Sequence, residues 1–339
     1  MSKTFERGLV VGKFAPLHRG HQAVIARAEE LCEQVVLISY ANPELAGCDP
    51  QVRARWLAEL YPAATRLVVT DAIAPVPADD ADDTTHRRFV GFLCQQVLGL
   101  RVDVVFTSEA YGDGFARELT RLFQERDSAA PVVRHVSIDQ GRVKVPISGT
   151  AIRADIHAHR QWLHPAVYAS FVERICFLGG ESTGKSTLVR ELALGFNTVA
   201  VPEYGRELWE AKEGVLEFAD LRQIAEKQVN REEKALRQAN RFAFCDTTPL
   251  TTLSYSLEMF GEADPVVHAL AQRPYAWVFL CAPDFAFVQD GTRRDHAFRA
   301  QQHAWYVAEL NRRKVSFHTL RGPIENRISE VRRVLAPKS

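Results

Sequence analysis

Short apolar runs alternate with segments of helical spacing along most of this chain. Residues 8–11 read as a strand, and 21–33 as a helix whose Ala23, Ile25, Ala26 and Leu31 supply apolar contacts. Residues 35–39 form a second strand pattern, 53–60 have helical spacing, and 66–70 are again extended. A Pro-rich turn leads into Asp79-Asp80-Ala81-Asp82-Asp83, a solvated loop. A helical segment at 86–98 and a strand at 102–107 follow it. Around residues 158–172 the pattern breaks into a polar and aromatic stretch containing Pro165. It resumes with a strand at 174–178, a helix from Lys185, and strands at 198–201, 241–245, 277–281 and 315–320. A long, charge-dense helix is expected over 218–240. Alternation of this kind implies right-handed crossovers and parallel sheets. The chain is therefore read as α/β, with two Rossmann-like domains, 1–170 and 171–339.

Composition adds limits. The 339 residues suit two domains, and 46% apolar with 25% charged residues is ordinary globular usage. Lys plus Arg equals Asp plus Glu, 42 each, so there is no basic excess of the kind that binds nucleic-acid backbones. No run approaches the roughly 18 apolar residues of a membrane span, and the first residues lack a secretory pattern. The six cysteines have no metal-ligand spacing; Cys176, Cys245 and Cys281 lie in or beside apolar strand runs, as small hydrophobes do. A reduced cytoplasmic enzyme with small-molecule partners is expected, without nucleic acid or membrane. Homo-oligomerisation is compatible with the sequence, which does not specify it.

Candidate chemistry lies just after two of the strands. Gly12-Lys13-Phe14-Ala15-Pro16-Leu17-His18-Arg19-Gly20-His21 joins the first strand to the first helix. Backbone amides and a helix N-terminus there favour an anion. His18 and His21, three residues apart, would stabilise charge building on an α-phosphate, and Gly20 allows close backbone approach. Far downstream, Ile147-Ser148-Gly149-Thr150-Ala151-Ile152-Arg153 offers hydroxyl and amide donors and then a guanidinium. Read alone, it is better taken as an ordinary helix cap followed by a surface arginine.

The second site is Gly179-Gly180-Glu181-Ser182-Thr183-Gly184-Lys185-Ser186, with Thr187 after it. This matches the P-loop pattern in its proper place between strand and helix. Its amides would cradle phosphates, Lys185 would reach the β/γ-oxygens and Ser186 would bind Mg²⁺. Glu203, in Glu203-Tyr204-Gly205-Arg206, sits past a strand end and could accept a proton from a substrate hydroxyl. Asp246 closes an apolar strand and falls near the Mg²⁺ shell. Asp290-Gly291-Thr292-Arg293-Arg294, with Arg299, reads as a mobile basic lid. The alternatives are a strand-end carboxylate, a helix cap and a solvated basic loop.

The HxGH loop with the late ISGTAIR segment resembles the nucleotidyltransferase superfamily. That resemblance implies that His18 and His21 stabilise the transition state, while Ser148 and Arg153 bind the leaving phosphates. Lys13 stands where one branch also carries a basic residue. With VVFTSE at 104–109 and the P-loop, EYGR and DGTR segments, the chain resembles the NadR-type family of bifunctional nicotinamide mononucleotide adenylyltransferases and ribosylnicotinamide kinases. The family implies an N-terminal nucleotidyltransferase fold and a C-terminal P-loop kinase fold. It implies phosphorylation of nicotinamide riboside at its 5′-hydroxyl, then adenylyl transfer from ATP to the mononucleotide, giving NAD and pyrophosphate. ATP and Mg²⁺ are the implied cofactors. Gly12, Phe14, Gly20, Ser148, Thr150, the P-loop, Arg293 and Arg294 would contact nucleotide, and Tyr204 and Arg206 the acceptor.

Two departures shape the expectation. The transferase loop begins almost at the first residue, so the helix-turn-helix module of some family members is not expected. Residues 78–92 lack the tryptophans associated with nicotinamide recognition, offering His86, Arg87, Arg88 and Phe89 instead. Trp56 is left as a platform for the pyridinium, or equally as a packed helix residue. A different N-terminal acceptor and a non-catalytic nucleotide sensor remain the competing readings.

Overall fold

The structure is a computed structural model and describes residues 3–141, 143–284 and 296–336. The chain divides into two compact units, Met1–Ser170 and Phe171–Ser339. The first runs β1 (Phe5–Gly12), α1 (Arg19–Leu31), β2 (Cys32–Ser39), α2 (Pro50–Leu60), β3 (Thr65–Val68), α3 (Asp83–Phe92), β4 (Val104–Thr107), α4 (Gly112–Arg126), β5 (Arg134–Ser137), α5 (Gly149–Ala154) and α6 (Pro165–Tyr168). The second runs β6 (Glu173–Leu178), α7 (Lys185–Gly195), β7 (Val199–Val201), α8 (Tyr204–Ala211), α9 (Phe218–Leu236), β8 (Phe242–Asp246), α10 (Pro249–Phe260), α11 (Pro265–Leu270), β9 (Trp277–Cys281), α12 (His296–Arg312), β10 (His318–Leu320) and α13 (Ile324–Leu335).

Each unit holds a five-stranded parallel sheet, ordered β3-β2-β1-β4-β5 in the first and β10-β9-β6-β8-β7 in the second. In both, the chain starts at the sheet centre and builds outward on each side. The order reverses beside the first strand, which opens a crevice at the carboxyl ends of the strands. The HxGH loop leaves β1 at one such point and the P-loop leaves β6 at the other.

The alternation along β6 decides how the second sheet is covered. Ile175 and Phe177 pack with Leu188 and Leu192 of α7 and Val331 and Leu335 of α13. Cys176 and Leu178 face the other way, onto Ala225 of α9, Leu250 and Leu253 of α10 and Leu310 of α12. Both faces are buried, so the strand reads as one apolar run rather than an alternating one. Burial of each large side chain contributes roughly 1.5–3 kcal/mol, and Phe177→Ala would leave a cavity costing about 3–5 kcal/mol. All six cysteines are free and buried.

Several boundaries differ from those expected. The first helix starts at Arg19 because His18 caps it, and α3 starts at Asp83 because Asp82 accepts from the Thr84 and Thr85 amides. The turn after α3, Leu93–Val97, is π-helical. Strand 315–320 shrinks to His318–Leu320, since Lys314 takes a left-handed turn with φ 56°. The charged helix over 218–240 ends at Leu236 and carries a buried stripe through Leu221, Ala225, Gln228 and Glu232. The lid segment with Arg293 and Arg294 lies outside the described residues. Among the described residues no helix is long and apolar enough to cross a membrane.

Candidate active sites

In the first unit, Gly12, His18, Gly20, His21, Ser108, Glu109, Tyr111, Ser148 and Arg153 line a cavity of about 280 Å³. The histidines are fixed by the helix start itself. The Gly20 N–H donates to His18 Nδ1 (3.1 Å), and the His18 N–H donates to His21 Nδ1 (3.3 Å). An Nδ1 that accepts leaves the proton of the neutral ring on Nε2. The rings stack with centroids 3.8 Å apart. His21 is held well below the ordinary imidazole value, by burial first and then by His18 and Arg153. Its ring is therefore a neutral donor near pH 7.

Buried charge holds the loop below. Arg53 of α2 is fully buried and donates to the Lys13 carbonyl (3.3 Å), to Ser39 Oγ (2.8 Å) and to both carboxylate oxygens of Glu44 (2.7 Å). Lys13 Nζ pairs with Asp79 (2.8 Å), which also accepts from the Asn42 amide. Arg153 donates to the Ala15 carbonyl (2.9 Å) and to Thr150 Oγ1 (3.1 Å). A methyl at Gly149 would stand 3.0 Å from Arg153 Nη1 and 3.7 Å from His18 Nε2, so guanidinium and imidazole converge there.

In the second unit, a cavity of about 640 Å³ is lined by the P-loop, Arg190, Glu203, Arg206, Trp209, Gln228, Thr251, Tyr255 and Gln302. Gly179 has φ 143°, and a Cβ there would meet the Cys281 carbonyl at 2.7 Å, so only glycine fits. Lys185 Nζ donates to the carbonyls of Gly179 and Gly180, 2.9 Å each. From α13, the buried Arg327 donates to the Thr183 carbonyl (2.9 Å) and clamps the loop from behind. Tyr255 donates to Glu181 (3.0 Å), and Gln302 accepts from the Glu181 amide (3.1 Å).

Two carboxylates lie within the electrostatic reach of the Lys185 ammonium. Glu203 is pushed up to about 7, by burial first and then by Asp246, against the pull of Lys185 and Arg206. Asp246 is also raised, chiefly by burial, with Lys185 and a hydrogen bond from Ser186 opposing. Asp246 Oδ1 is buried with no hydrogen-bond partner among the described residues. An orphaned carboxylate oxygen beside a serine hydroxyl fits a Mg²⁺ that takes its remaining ligands from phosphate and water. No cluster of three or more His, Cys, Asp or Glu arranged for a metal occurs among the described residues. A P-loop metal site does not need one.

Residues 9–155 match the family described as Cytidylyltransferase-like, and residues 174–327 match an AAA domain. A Salmonella typhimurium protein described as "Trifunctional NAD biosynthesis/regulator protein NadR" is 30% identical over 308 residues, covering 84% of this chain and 71% of that protein. The chain belongs to the NadR family. Its fold is that of NadR in complex with NR (TM-score 0.69, 21% identity, 100% of this chain and 98% of that one). NadR in complex with NAD and AMP-PNP is equally similar (TM-score 0.68, 20% identity, 100% and 99%). The chain is thus an enzyme that joins a nucleotidyltransferase-type unit to a P-loop, kinase-like unit.

Within this NadR-type chain, His18, His21, Gly12, Gly20, Lys13, Ser148 and Arg153 gather at the first cavity. Ser182, Thr183, Lys185, Ser186, Thr187, Glu203 and Arg206 gather at the second. Four placements correct the expectations. Trp56 is 3% exposed and donates from Nε1 to Ser170 Oγ (2.9 Å), so it packs α2 and offers no face to a ligand. Phe14 is fully buried and meets His21 edge-on, with centroids 5.1 Å apart; it supports that ring rather than the nucleotide. Tyr204 faces α9, its ring under Arg231 (4.7 Å) and its hydroxyl accepting from Gln223. Arg299 is not part of an open lid: it is 1% exposed on α12, its backbone packed against Gly180.

Sequence reasoning missed Arg53, Asp79, Gln228, Tyr255, Gln302 and Arg327. Only Gln228 left a readable signal, a polar residue in the apolar stripe of α9. The others act through contacts distant in sequence.

Proposed function

We propose that this chain makes NAD in two ATP-dependent steps. Residues 171–339 phosphorylate nicotinamide riboside, and residues 1–170 transfer the adenylyl group of ATP to the resulting mononucleotide. The observation that carries this reading is the pair of separate phosphate cavities. One is built around two stacked imidazoles, the other around a P-loop lysine with a raised carboxylate.

In the kinase step, Glu203 takes the proton of the riboside 5′-hydroxyl as that oxygen attacks the γ-phosphorus, and ADP leaves. Lys185 and the loop amides hold the β- and γ-phosphates in line. Mg²⁺, held by Ser186 and Asp246, would neutralise charge on those oxygens. In the transfer step, a phosphate oxygen of the mononucleotide attacks the α-phosphorus of the second ATP. The Nε2–H groups of His18 and His21 donate to the oxygens gaining charge, and Arg153 receives the departing pyrophosphate. Lys13 exchanges Asp79 for phosphate. Tyr111, 44% exposed and lining this cavity, supplies the aromatic face that Trp56 does not. The buried free cysteines suit a reducing cytoplasm.

A product assay with Mg-ATP tests this reading. Wild type should convert riboside to mononucleotide and mononucleotide to NAD. Lys185→Ala should abolish the first conversion alone, and His18→Ala the second alone. Loss of both conversions in either folded variant would sink the assignment of separate sites.

A further inference from the structure

Gln228, in the middle of α9, is 2% exposed and lines the second cavity together with Glu203, Arg206 and Trp209. Its Oε1 accepts from the Tyr204 N–H at 3.0 Å. A backbone amide only donates, so the oxygen must face Tyr204 and the amide orientation is fixed. Its Nε2 then stands buried with no hydrogen-bond partner among the described residues. A buried donor left unpaired costs about 1–3 kcal/mol, so such groups are kept where something arrives to meet them. The other buried polar groups of α9 are answered, Asp220 by Lys212 and Glu232 by Arg273 and Tyr275, whereas Gln228 Nε2 is not.

We infer that Gln228 donates from Nε2 to a ribose hydroxyl of the acceptor nucleoside and so selects for the sugar; this rests on the kinase reading above. The residue it grips directly follows Glu203, the group placed at the 5′-hydroxyl. A donor anchored one residue from that carboxylate stands at the sugar end of the acceptor. The carboxamide of the base lies several bonds farther off. The ring hydroxyls of a ribose are the acceptor oxygens within reach, and a deoxyribose offers fewer. Gln228 thereby ties two tasks to one side chain. It holds the N-terminal turn of α8, which carries Glu203, and it reads the sugar that must sit before it.

The test is a substitution cycle on protein and substrate, read as KM and kcat for phosphorylation. Gln228→Met conserves size and removes both the donor and the oxygen that Tyr204 uses; Gln228→Glu removes the donor and keeps that oxygen. The substrates are nicotinamide riboside and its 2′,3′-dideoxy analogue. Wild type is expected to favour the riboside by about tenfold or more in kcat/KM, the worth of one such bond. Gln228→Met should erase most of that preference, chiefly through KM, on top of a loss common to both substrates from releasing the Tyr204 N–H. Thermal unfolding checks that each variant is folded, and Gln228→Glu replaces Met in the cycle if Met is not. A riboside preference unchanged in the variants, whether both substrates lose equally or neither loses, would overturn the ribose contact while leaving the kinase reading intact. A wild type that phosphorylates neither substrate would overturn the kinase reading itself, and the contact with it.

Discussion

His18 and His21 stack with ring centroids 3.8 Å apart, each Nδ1 occupied by a backbone N–H of the same helix start. Two cationic rings would repel at that distance, and neither Nδ1 has room for a proton while it accepts. Both rings present Nε2 to the cavity, and His21 does so as the neutral ring.

Adenylyl transfer should therefore show no loss from His21 protonation between about pH 8 and pH 6.5. A lowered pKa keeps the neutral ring dominant from well below 6.5 upward. His21→Asn is neutral at every pH and should lower kcat by about 10²–10³-fold without changing the profile over that range. A wild-type limb near pH 7 that His21→Asn removes would contradict a neutral donor.

Riboside phosphorylation should behave the opposite way. Glu203 is raised to about 7, so it is protonated below that pH and free to act as base above it. The kcat/KM of the kinase step should rise with pH through a limb near 7, where an ordinary carboxylate would place it near 4.5. Glu203→Gln should cost about 10²–10⁴-fold, measured by coupled ADP release.

Asp246 is expected to set the metal requirement of the kinase step. Asp246→Asn keeps the shape but removes the charge that a divalent cation needs. The Mg²⁺ concentration for half-maximal kinase activity should rise about tenfold or more, while adenylyl transfer keeps its wild-type Mg²⁺ dependence. An unchanged kinase titration would remove Asp246 from the metal site.

Arg53 is expected to matter for the first reaction although it is fully buried. Arg53→Met removes a donor from both the Lys13 carbonyl and Ser39 Oγ, which keep only their hydrogen bond to each other (2.9 Å), at about 1–3 kcal/mol. Adenylyl transfer should fall about 10–100-fold through displacement of the loop, with riboside phosphorylation unaffected. Thermal unfolding and the two activities, measured on one preparation, check it.

Legibility followed the range of the interactions. The HxGH loop and the P-loop were visible because each is a run of neighbours whose own backbone makes the site; Gly179 and Gly184 are required locally. Strand cores such as residues 175–178 were visible because burial on both faces leaves an apolar run. Arg327 and Thr183 are 144 residues apart, and Tyr255 and Glu181 are 74 apart. No local pattern announces such pairs. Trp56 shows the converse: its sequence suited a pyridinium platform and a packed helix equally, and burial with the bond to Ser170 decided for packing.

By itself the sequence determined two α/β units, two phosphate loops and the order of their parts, because turn geometry and strand periodicity are short-range properties. The tertiary structure decided which proton each histidine keeps, how far Glu203 is raised and which way the Gln228 amide points. Those depend on desolvation and on partners brought close only by the packed sheets, where a buried polar group must be answered by a specific neighbour.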